Sequence, residues 1–94
     1  MIIIAGHLRV DADERAAYLS CVADVVPSAR AAPGCLEFVQ VADPVEPDRI
    51  VVFERWESDD ALLAFRGQGQ GVDDTPELLD ADVSKYRISA VESP

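Results

Sequence analysis

The stretch Pro33–Glu57, PGCLEFVQVADPVEPDRIVVFERWE, decides the predicted fold of this chain. It contains two apolar runs, each about as long as one β-strand. The segment 43–48, DPVEPD, separates the runs and is rich in turn formers. Two β-rich runs around such a segment predict an antiparallel hairpin, with Trp56, the only tryptophan, at its far end.

The sequence on either side of the hairpin predicts the other elements from apolar periodicity, capping residues and Pro/Gly positions. Helical spacing in the first half is interrupted by Pro27, which removes the hydrogen bond to the Ala23 carbonyl. The predicted elements are a strand over Ile2–Val10, a helix over Asp11–Ala32, a helix capped by Ser58 and stopped at Gly67–Gly71, a short helix restarting at Asp74–Glu77, and a strand over Val83–Val91.

This order, β-α-β-β-α-β, predicts a single α+β domain over residues 1–94 with a ferredoxin-like, four-stranded antiparallel sheet. Both faces of the predicted hairpin carry apolar residues, whereas a sheet with one face in water should alternate between apolar and polar residues. Helices cover one face, and the chain is too short to cover the other. We therefore expect a homodimer packed sheet to sheet, which forms an α+β barrel.

The composition narrows the classes of partner. The formal net charge is -10, from 18 acidic and 8 basic residues, so the chain should be repelled by nucleic acid and by anionic membrane surfaces. The first residues lack a basic region followed by a long apolar run, so we expect neither a signal peptide nor a membrane span. Two cysteines are too few for a disulfide framework, and a cytoplasmic location is expected.

Common catalytic motifs are missing from the sequence. A single histidine, His7, rules out two-histidine metal sites, so no metal is expected. There is no GxSxG nucleophile motif. The run GQGQG at 67–71 lacks the Lys-Ser/Thr ending of a phosphate-binding loop, and it is expected to be a helix end or a lip over a pocket.

Six residues are candidates for a functional site. His7 could be a base or hydrogen-bond donor, because the ordinary pKa of histidine lies near neutrality, or it could be a partly buried strand residue. Trp56 could form the wall of an aromatic pocket or anchor the core. The remaining candidates are Phe65 and Phe38 as substrate contacts, and Tyr18 and Tyr86 as hydrogen-bond donors to a ligand oxygen, each with a core role as the alternative.

The chain resembles the antibiotic biosynthesis monooxygenase (ABM) family at Pro33-Gly34-Cys35-Leu36 and at Phe53-Glu54-Arg55-Trp56-Glu57-Ser58, followed by Ala61-Leu62. The resemblance implies a dimeric α+β barrel with a pocket between sheet and helices. It also implies oxygenation of phenols or quinols without metal, flavin or haem, where the substrate itself reduces O2. The protein would supply a base, fixed hydrogen-bond donors and a dry cavity.

Two departures from the family pattern concern the helix after the hairpin and the first strand. Phe65 stands where many members have histidine, and the Gly-Gln run stands where another histidine follows. The haem-degrading branch uses a first-strand asparagine, which is best matched here by Gly6, and an axial helical histidine, which is absent. Haem degradation is therefore not expected.

The resemblance and the candidate residues together predict a monooxygenase for a small aromatic phenol or quinol, with no cofactor. His7 would be the base and Tyr86 an oxyanion donor, while Trp56, Phe65, Phe38 and Tyr18 would contact substrate. Two alternatives remain open. One is a non-catalytic dimeric barrel that binds a small apolar ligand or acts in a stress response, and the other is a related isomerase or decarboxylase.

Overall fold

The computed structural model describes residues 1–67 and 75–94. Its strands are β1 (Ile2–Arg9), β2 (Cys35–Ala42), β3 (Arg49–Trp56) and β4 (Asp80–Arg87). Its helices are a short 3-10 turn (Ala12–Glu14), α1 (Arg15–Val22), α2 (Val25–Ala31) and α3 (Asp59–Arg66). The strands form one antiparallel sheet in the order β2-β3-β1-β4, which confirms the predicted ferredoxin-like fold.

The helices pack on one face of the sheet, and the core beneath them consists of two apolar clusters. The first cluster joins the sheet to α2 and α3 and contains Ile2, Ile4, Ala29, Phe38, Trp56, Leu62 and Phe65. The second joins the sheet to α1 and contains Leu8, Val10, Tyr18, Val22, Ile50 and Val52. Successive strand residues point to opposite faces, so the strand residues of both clusters lie on one face of the sheet, the helix face.

The predicted helix over Asp11–Ala32 is divided into three pieces. The Asp11 carboxylate accepts a hydrogen bond of 3.0 Å from the backbone N–H of Asp13 and so caps the N-terminus of the 3-10 turn. The division between α1 and α2 falls at residues 23–24, and Pro27 lies in the first turn of α2. Proline is tolerated there because its nitrogen needs no intrahelical partner, so the predicted interruption is observed just before it.

The turn of the β2–β3 hairpin is held by ionic and backbone hydrogen bonds. The Asp43 carboxylate accepts hydrogen bonds from the backbone N–H groups of Val45 (3.0 Å) and Glu46 (2.7 Å) and from the Arg49 guanidinium (2.7 Å). Arg15 on α1 donates to the carbonyl oxygens of Asp43, Glu46 and Arg49 at 2.9–3.3 Å. The first helix therefore fixes the position of the turn.

Capping by Ser58 is observed, since its hydroxyl accepts a hydrogen bond of 3.1 Å from the Ala61 N–H at the start of α3. At the other end, the Gly67 N–H donates to the Leu63 carbonyl at 2.9 Å. The rest of the Gly-Gln run lies outside the described residues.

The prediction of a short helix over Asp74–Glu77 was wrong for Thr75–Glu77, and Asp74 lies outside the described residues. Residues 75–79 form no helix, and β4 starts at Asp80 rather than at Val83. The cause is pairing with β1: the Leu79 N–H donates to the Arg9 carbonyl at 2.7 Å, and the ladder runs on to Ile2 and Arg87. Leu79 therefore belongs to the extended segment that leads into β4, and its side chain is exposed instead of anchoring a helix.

The second face of the sheet, which we call the open face, carries no helix among the described residues. Half-buried apolar side chains lie on it, contributed by β1, β2 and β3: Ile3, Ala5, Val39, Val51 and Phe53. The two-sided apolar pattern predicted for the hairpin is therefore present.

Candidate functional site

Glu54 is the one buried charged residue in the part of the chain that the structure describes, with 8% of its surface exposed. It lies on the helix face of β3, opposite Ile4 on β1 and Phe38 on β2. Trp56 Nε1 donates a hydrogen bond of 3.0 Å to Glu54 Oε1. Burial raises the pKa of this carboxyl, while the hydrogen bond from Trp56 and the charge of Arg66 oppose the rise.

Trp56 is one of three aromatic rings that pack in sequence, with Phe65 between Trp56 and Phe38. The Phe65 ring on α3 lies 5.4 Å from the Trp56 ring and 6.0 Å from the Phe38 ring, centroid to centroid, with an edge-to-face arrangement in the second pair. Trp56 is fully buried, so its indole is a core anchor as well as the donor to Glu54. The three buried rings form one aromatic layer, and the tryptophan of this layer holds the Glu54 carboxylate.

A cleft of about 260 Å³ lies between α3 and β4, next to this layer. Its lining residues are Ile4, Asp59, Leu62, Leu63, Arg66, Val83, Ser84 and Lys85. Ile4 and Leu62 are buried and form its floor, while the side chains of Leu63 and Val83 are exposed. Ile4 is also the cross-strand neighbour of Glu54. The carboxylate on β3 and the floor of the cleft on β1 therefore lie on adjacent strands.

An ion cluster closes one end of this α3–β4 cleft. Asp59, in the first turn of α3, accepts hydrogen bonds from Lys85 (2.9 Å) and Arg87 (2.8 Å) on β4. The hydrogen bonds from Arg87 and Lys85 lower the pKa of Asp59 to about 2. The cluster links the edge strand β4 to the start of α3, and these two elements are the walls of the cleft.

The Pro33-Gly34 turn packs directly against α3. Gly34 has φ of +83°, and a Cβ at that position would collide with the Ala61 side chain, so both conformation and space require glycine. The Glu57 N–H donates to the Gly34 carbonyl at 2.8 Å. An open hollow of about 350 Å³ beside this turn is lined by Ala32, Pro33, Gly34, Glu57, Asp60, Ala61, Ala64 and Phe65.

The structure brings only some of the predicted site residues together. Trp56, Phe65 and Phe38 form the aromatic layer on the helix face, whereas Tyr18 is a residue of α1 and belongs to the second apolar cluster. There, burial raises the pKa of the Tyr18 hydroxyl.

His7 and Tyr86 lie on the open face, across the sheet from Trp56. His7 Nε2 is 4.0 Å from the Asp80 carboxylate, and its Nδ1 is 3.5 Å from the Arg49 guanidinium. Tyr86 pairs with Ile3 on the edge strand and is 54% exposed. The catalytic roles of His7 and Tyr86 stay predictions.

The structure adds Glu54, Arg66 and Lys85 as candidates that the sequence analysis did not select. The signal for Glu54 was present, because it is the charged member of an otherwise apolar alternation, Ile50, Val52, Glu54, Trp56, on a buried strand face. The positions of Arg66 and Lys85 depend on how α3 crosses β4, which no local pattern specifies.

The described residues hold no group of three histidine, cysteine or acidic side chains arranged to bind a metal ion. Within residues 1–67 and 75–94, no helix has the length and apolar character needed to cross a bilayer.

Comparison with known proteins places the chain in a family. The sequence profile described as antibiotic biosynthesis monooxygenase matches residues 1–70. An ABM-type protein of Nitrosomonas europaea has a TM-score of 0.78 at 15% identity, covering 96% of this chain and 100% of that chain. An ABM-type protein of Deinococcus radiodurans has a TM-score of 0.76 at 16% identity, covering 100% and 98%.

Two further relatives widen the comparison. The haem degrader MhuD of Mycobacterium tuberculosis has a TM-score of 0.71 at 18% identity, covering 99% of this chain and 100% of that chain. The Synechocystis protein sll1783 is 24% identical, and the match covers 98% of this chain but only 66% of that protein. At these identities the structural matches establish the fold alone, whereas the profile match establishes the family. The chain belongs to the antibiotic biosynthesis monooxygenase family.

Proposed function

We propose that this chain is a monooxygenase that uses O2 to oxidise a small aromatic phenol or quinol, without a metal, flavin or haem. The observation that carries the proposal is the buried Glu54 carboxylate, which is held by Trp56 inside an aromatic layer. It lies one strand from the floor of the α3–β4 cleft at Ile4. Family membership supports oxygenase chemistry, and the cleft's modest volume favours a ligand of one or two rings.

The reaction needs no external reductant. A ring C–H para to the hydroxyl becomes C=O, one oxygen atom of O2 enters the quinone product, and the other leaves as water with two hydrogens of the substrate. The substrate supplies all four electrons. The protein's part is to remove the phenolic proton, stabilise the resulting oxyanion and keep bulk water away.

Glu54 is the base that we propose for a substrate on the helix face. Its raised pKa makes the carboxylate a stronger proton acceptor than an exposed glutamate. His7 and Tyr86 remain proposed as base and oxyanion donor for a substrate on the open face, where a second subunit would be needed to enclose it. The two proposals put proton transfer on opposite faces of one sheet, so variants at Glu54 and His7 distinguish them.

The side chains present do not fit a haem site. The only histidine, His7, lies on the open face between Asp80 and Arg49 rather than on a helix over the sheet. Gly6, which stands at the first-strand position, has φ of +155°, and any Cβ there would overlap the Asp82 carbonyl oxygen. An asparagine side chain could not replace it without displacing β4.

We propose that the open face is covered by a second copy of the chain. The apolar, half-buried side chains of Ile3, Val51 and Phe53 support this, because a monomer would leave them in water. A sedimentation experiment at micromolar concentration should give the mass of a dimer, and a monomer would contradict the proposal. We also propose a cytoplasmic location, because two cysteines are too few for the disulfide framework of a small secreted domain.

Oxygen uptake by chelator-treated protein tests the proposed activity. With α-naphthol or its ortho-carboxylate, hydroxynaphthoate, as substrate, we expect equimolar consumption of O2 and substrate, formation of a naphthoquinone, and no hydrogen peroxide. Uptake that requires an added metal, flavin or haem would contradict the proposal, as would no uptake above the protein-free rate with either compound.

The non-catalytic alternative is favoured by one observation: Trp56 is fully buried and its aromatic layer is filled by side chains. A binding-only protein should change its Trp56 fluorescence with ligand in the cleft while consuming no O2.

A further inference from the structure

We propose that the α3–β4 cleft binds a small aromatic acid, with the carboxylate of the ligand on Arg66 and its ring on the apolar floor. The inference names the ligand class for the site described above. As a statement about substrate it rests on the proposed oxygenase function, whereas as a statement about binding it can be tested without turnover.

The charge of the cleft differs in sign from that of the chain. The chain carries 18 acidic and 8 basic residues, yet among the residues that the structure describes the cleft is lined by Arg66 and Lys85 with one acid, Asp59. Both Lys85 and Arg87 donate to Asp59, so this acid's charge is already compensated. The net charge of -10 disfavours the approach of an anion in general, whereas gathered cations such as these favour it locally.

Arg66 is the cation available to a ligand. Its guanidinium makes no hydrogen bond or ion pair with another residue that the structure describes, and its side chain lines the cleft. Its charge is felt by the buried Glu54, whose pKa it lowers against the effect of burial. A guanidinium presents a planar fork of donors that matches a carboxylate, so an aromatic acid would supply a partner that Arg66 lacks among the described residues.

The apolar surface of the cleft fits a flat ring. Ile4 and Leu62 are almost completely buried beneath it, while Leu63 is 60% exposed and Val83 37% exposed along its sides. Exposed leucine and valine at the mouth of a cleft are protected from water when an apolar ring lies between them. The distance along α3 from Asp59 to Arg66 is about 10 Å, which accommodates one or two fused rings.

Anaerobic calorimetric titration tests the inference with a matched pair of probes. Hydroxynaphthoate and α-naphthol have the same ring and hydroxyl, and they differ by the carboxylate. Wild-type protein should bind hydroxynaphthoate about ten-fold or more tightly than α-naphthol, because a charge-assisted hydrogen bond is added. Hydroxynaphthoate should shift the backbone amide resonances of Leu62, Leu63 and Val83 in an NMR titration.

Variants of Arg66 provide the second arm. Arg66→Gln should weaken hydroxynaphthoate binding by about ten-fold or more and leave α-naphthol binding within about two-fold. Arg66→Lys, which keeps the charge, should retain part of the preference. Arg30→Gln is the control for net charge, because Arg30 is exposed on α2 and donates to the Phe38 carbonyl, away from the cleft. It should bind both probes as wild type does.

Equal affinity for the two probes would overturn the inference, and so would an unchanged preference in Arg66→Gln or shifts confined to other parts of the fold. Binding of hydroxynaphthoate at the cleft without O2 uptake would leave the inference standing and remove the oxygenase function. Conversely, O2 uptake with α-naphthol and no preference for the acid would leave the function standing and remove the inference.

Discussion

The indole Nε1 of Trp56 donates a hydrogen bond of 3.0 Å to Oε1 of Glu54, two residues earlier on the same buried strand face. The bond satisfies the only donor of the indole and one acceptor of the carboxylate where water has little access. It therefore joins the aromatic layer to the one buried charge among the described residues, and it fixes the orientation of the carboxylate next to the cleft.

Replacement of Glu54 by glutamine should change how stability depends on pH. Burial raises the folded-state pKa of Glu54, so its contribution to stability is present below the ordinary glutamate pKa and is lost as pH rises through the raised value. Glutamine keeps an oxygen acceptor for Trp56 and does not titrate. In urea unfolding between about pH 4 and pH 7, the free energy of unfolding of Glu54→Gln relative to that of wild type should increase as pH rises. A difference that is flat or falls with pH would contradict this.

Truncation of Trp56 should remove a core anchor. Trp56→Ala should lower the free energy of unfolding by about 3–5 kcal/mol, because a fully buried ring leaves a cavity beside Phe65. The control is Leu63→Ala on the same layer's helix, whose side chain is 60% exposed and should cost at most about 0.5 kcal/mol. If both variants unfold at the same urea concentration, Trp56 is not part of the core.

The fold could be predicted from sequence because the apolar periodicity agrees with the positions of turn and capping residues over most of the chain. The hairpin around 43–48 and the helix start at Ser58 each have a local chemical signature that the structure reproduces. The segment after Thr75 was mispredicted because Pro76 suggested a helix start locally, whereas pairing with β1, a long-range effect, extends the chain there. Long-range pairing overrides local propensity when it satisfies more backbone groups.

The candidate site residues do not all come together in the structure. Residue type identified the aromatic layer of Trp56, Phe65 and Phe38, but it also selected His7, which the parity of β1 places on the opposite face. Alternation along the predicted first strand already places His7 and Ile4 on different sides of the sheet. Arg66 could not be selected, because its relevance depends on the tertiary contact between α3 and β4.

The hairpin turn should become less stable in acid through Asp43. Hydrogen bonds from the backbone N–H groups of Glu46 and Val45, and from Arg49, lower its pKa to about 2. A lowered pKa gives stability that is present above the unfolded-state value and is lost as pH falls through the folded value. Asp43→Ala should thus have a lower urea midpoint of unfolding than wild type at neutral pH. The difference between the two midpoints should shrink as the pH falls towards about 2.

Asp24→Ala is the matched control for Asp43→Ala. Asp24 precedes α2, and its side chain makes no capping hydrogen bond to that helix. Its replacement should have the smaller effect at neutral pH. A gap between Asp43→Ala and wild type that persists unchanged down to about pH 2 would show that the carboxylate's charge is not responsible.

A side chain at Gly6 should separate β4 from β1. With φ of +155° and no room between its backbone and the Asp82 carbonyl, alanine cannot be accommodated without moving the edge strand. In Gly6→Ala, the amides of β4 should exchange with solvent much faster than in wild type, and the melting temperature should fall. Gly67→Ala is the control, since Gly67 has right-handed helical φ and its nearest obstacle, the Leu63 carbonyl oxygen, lies 3.3 Å from the added carbon. Equal exchange rates in the two variants would contradict the close approach at Gly6.

The initial rate of O2 uptake in Glu54→Gln, measured with chelator-treated protein and saturating hydroxynaphthoate, tests the central claim most directly. His7→Ala is assayed in parallel, because His7 is the other candidate base and lies on the opposite face. If Glu54 accepts the phenolic proton, the rate should fall by about 10²-fold or more in Glu54→Gln while the protein stays folded. Wild-type turnover in folded Glu54→Gln, above all together with such a fall in His7→Ala, would contradict the account and move the reaction to the open face.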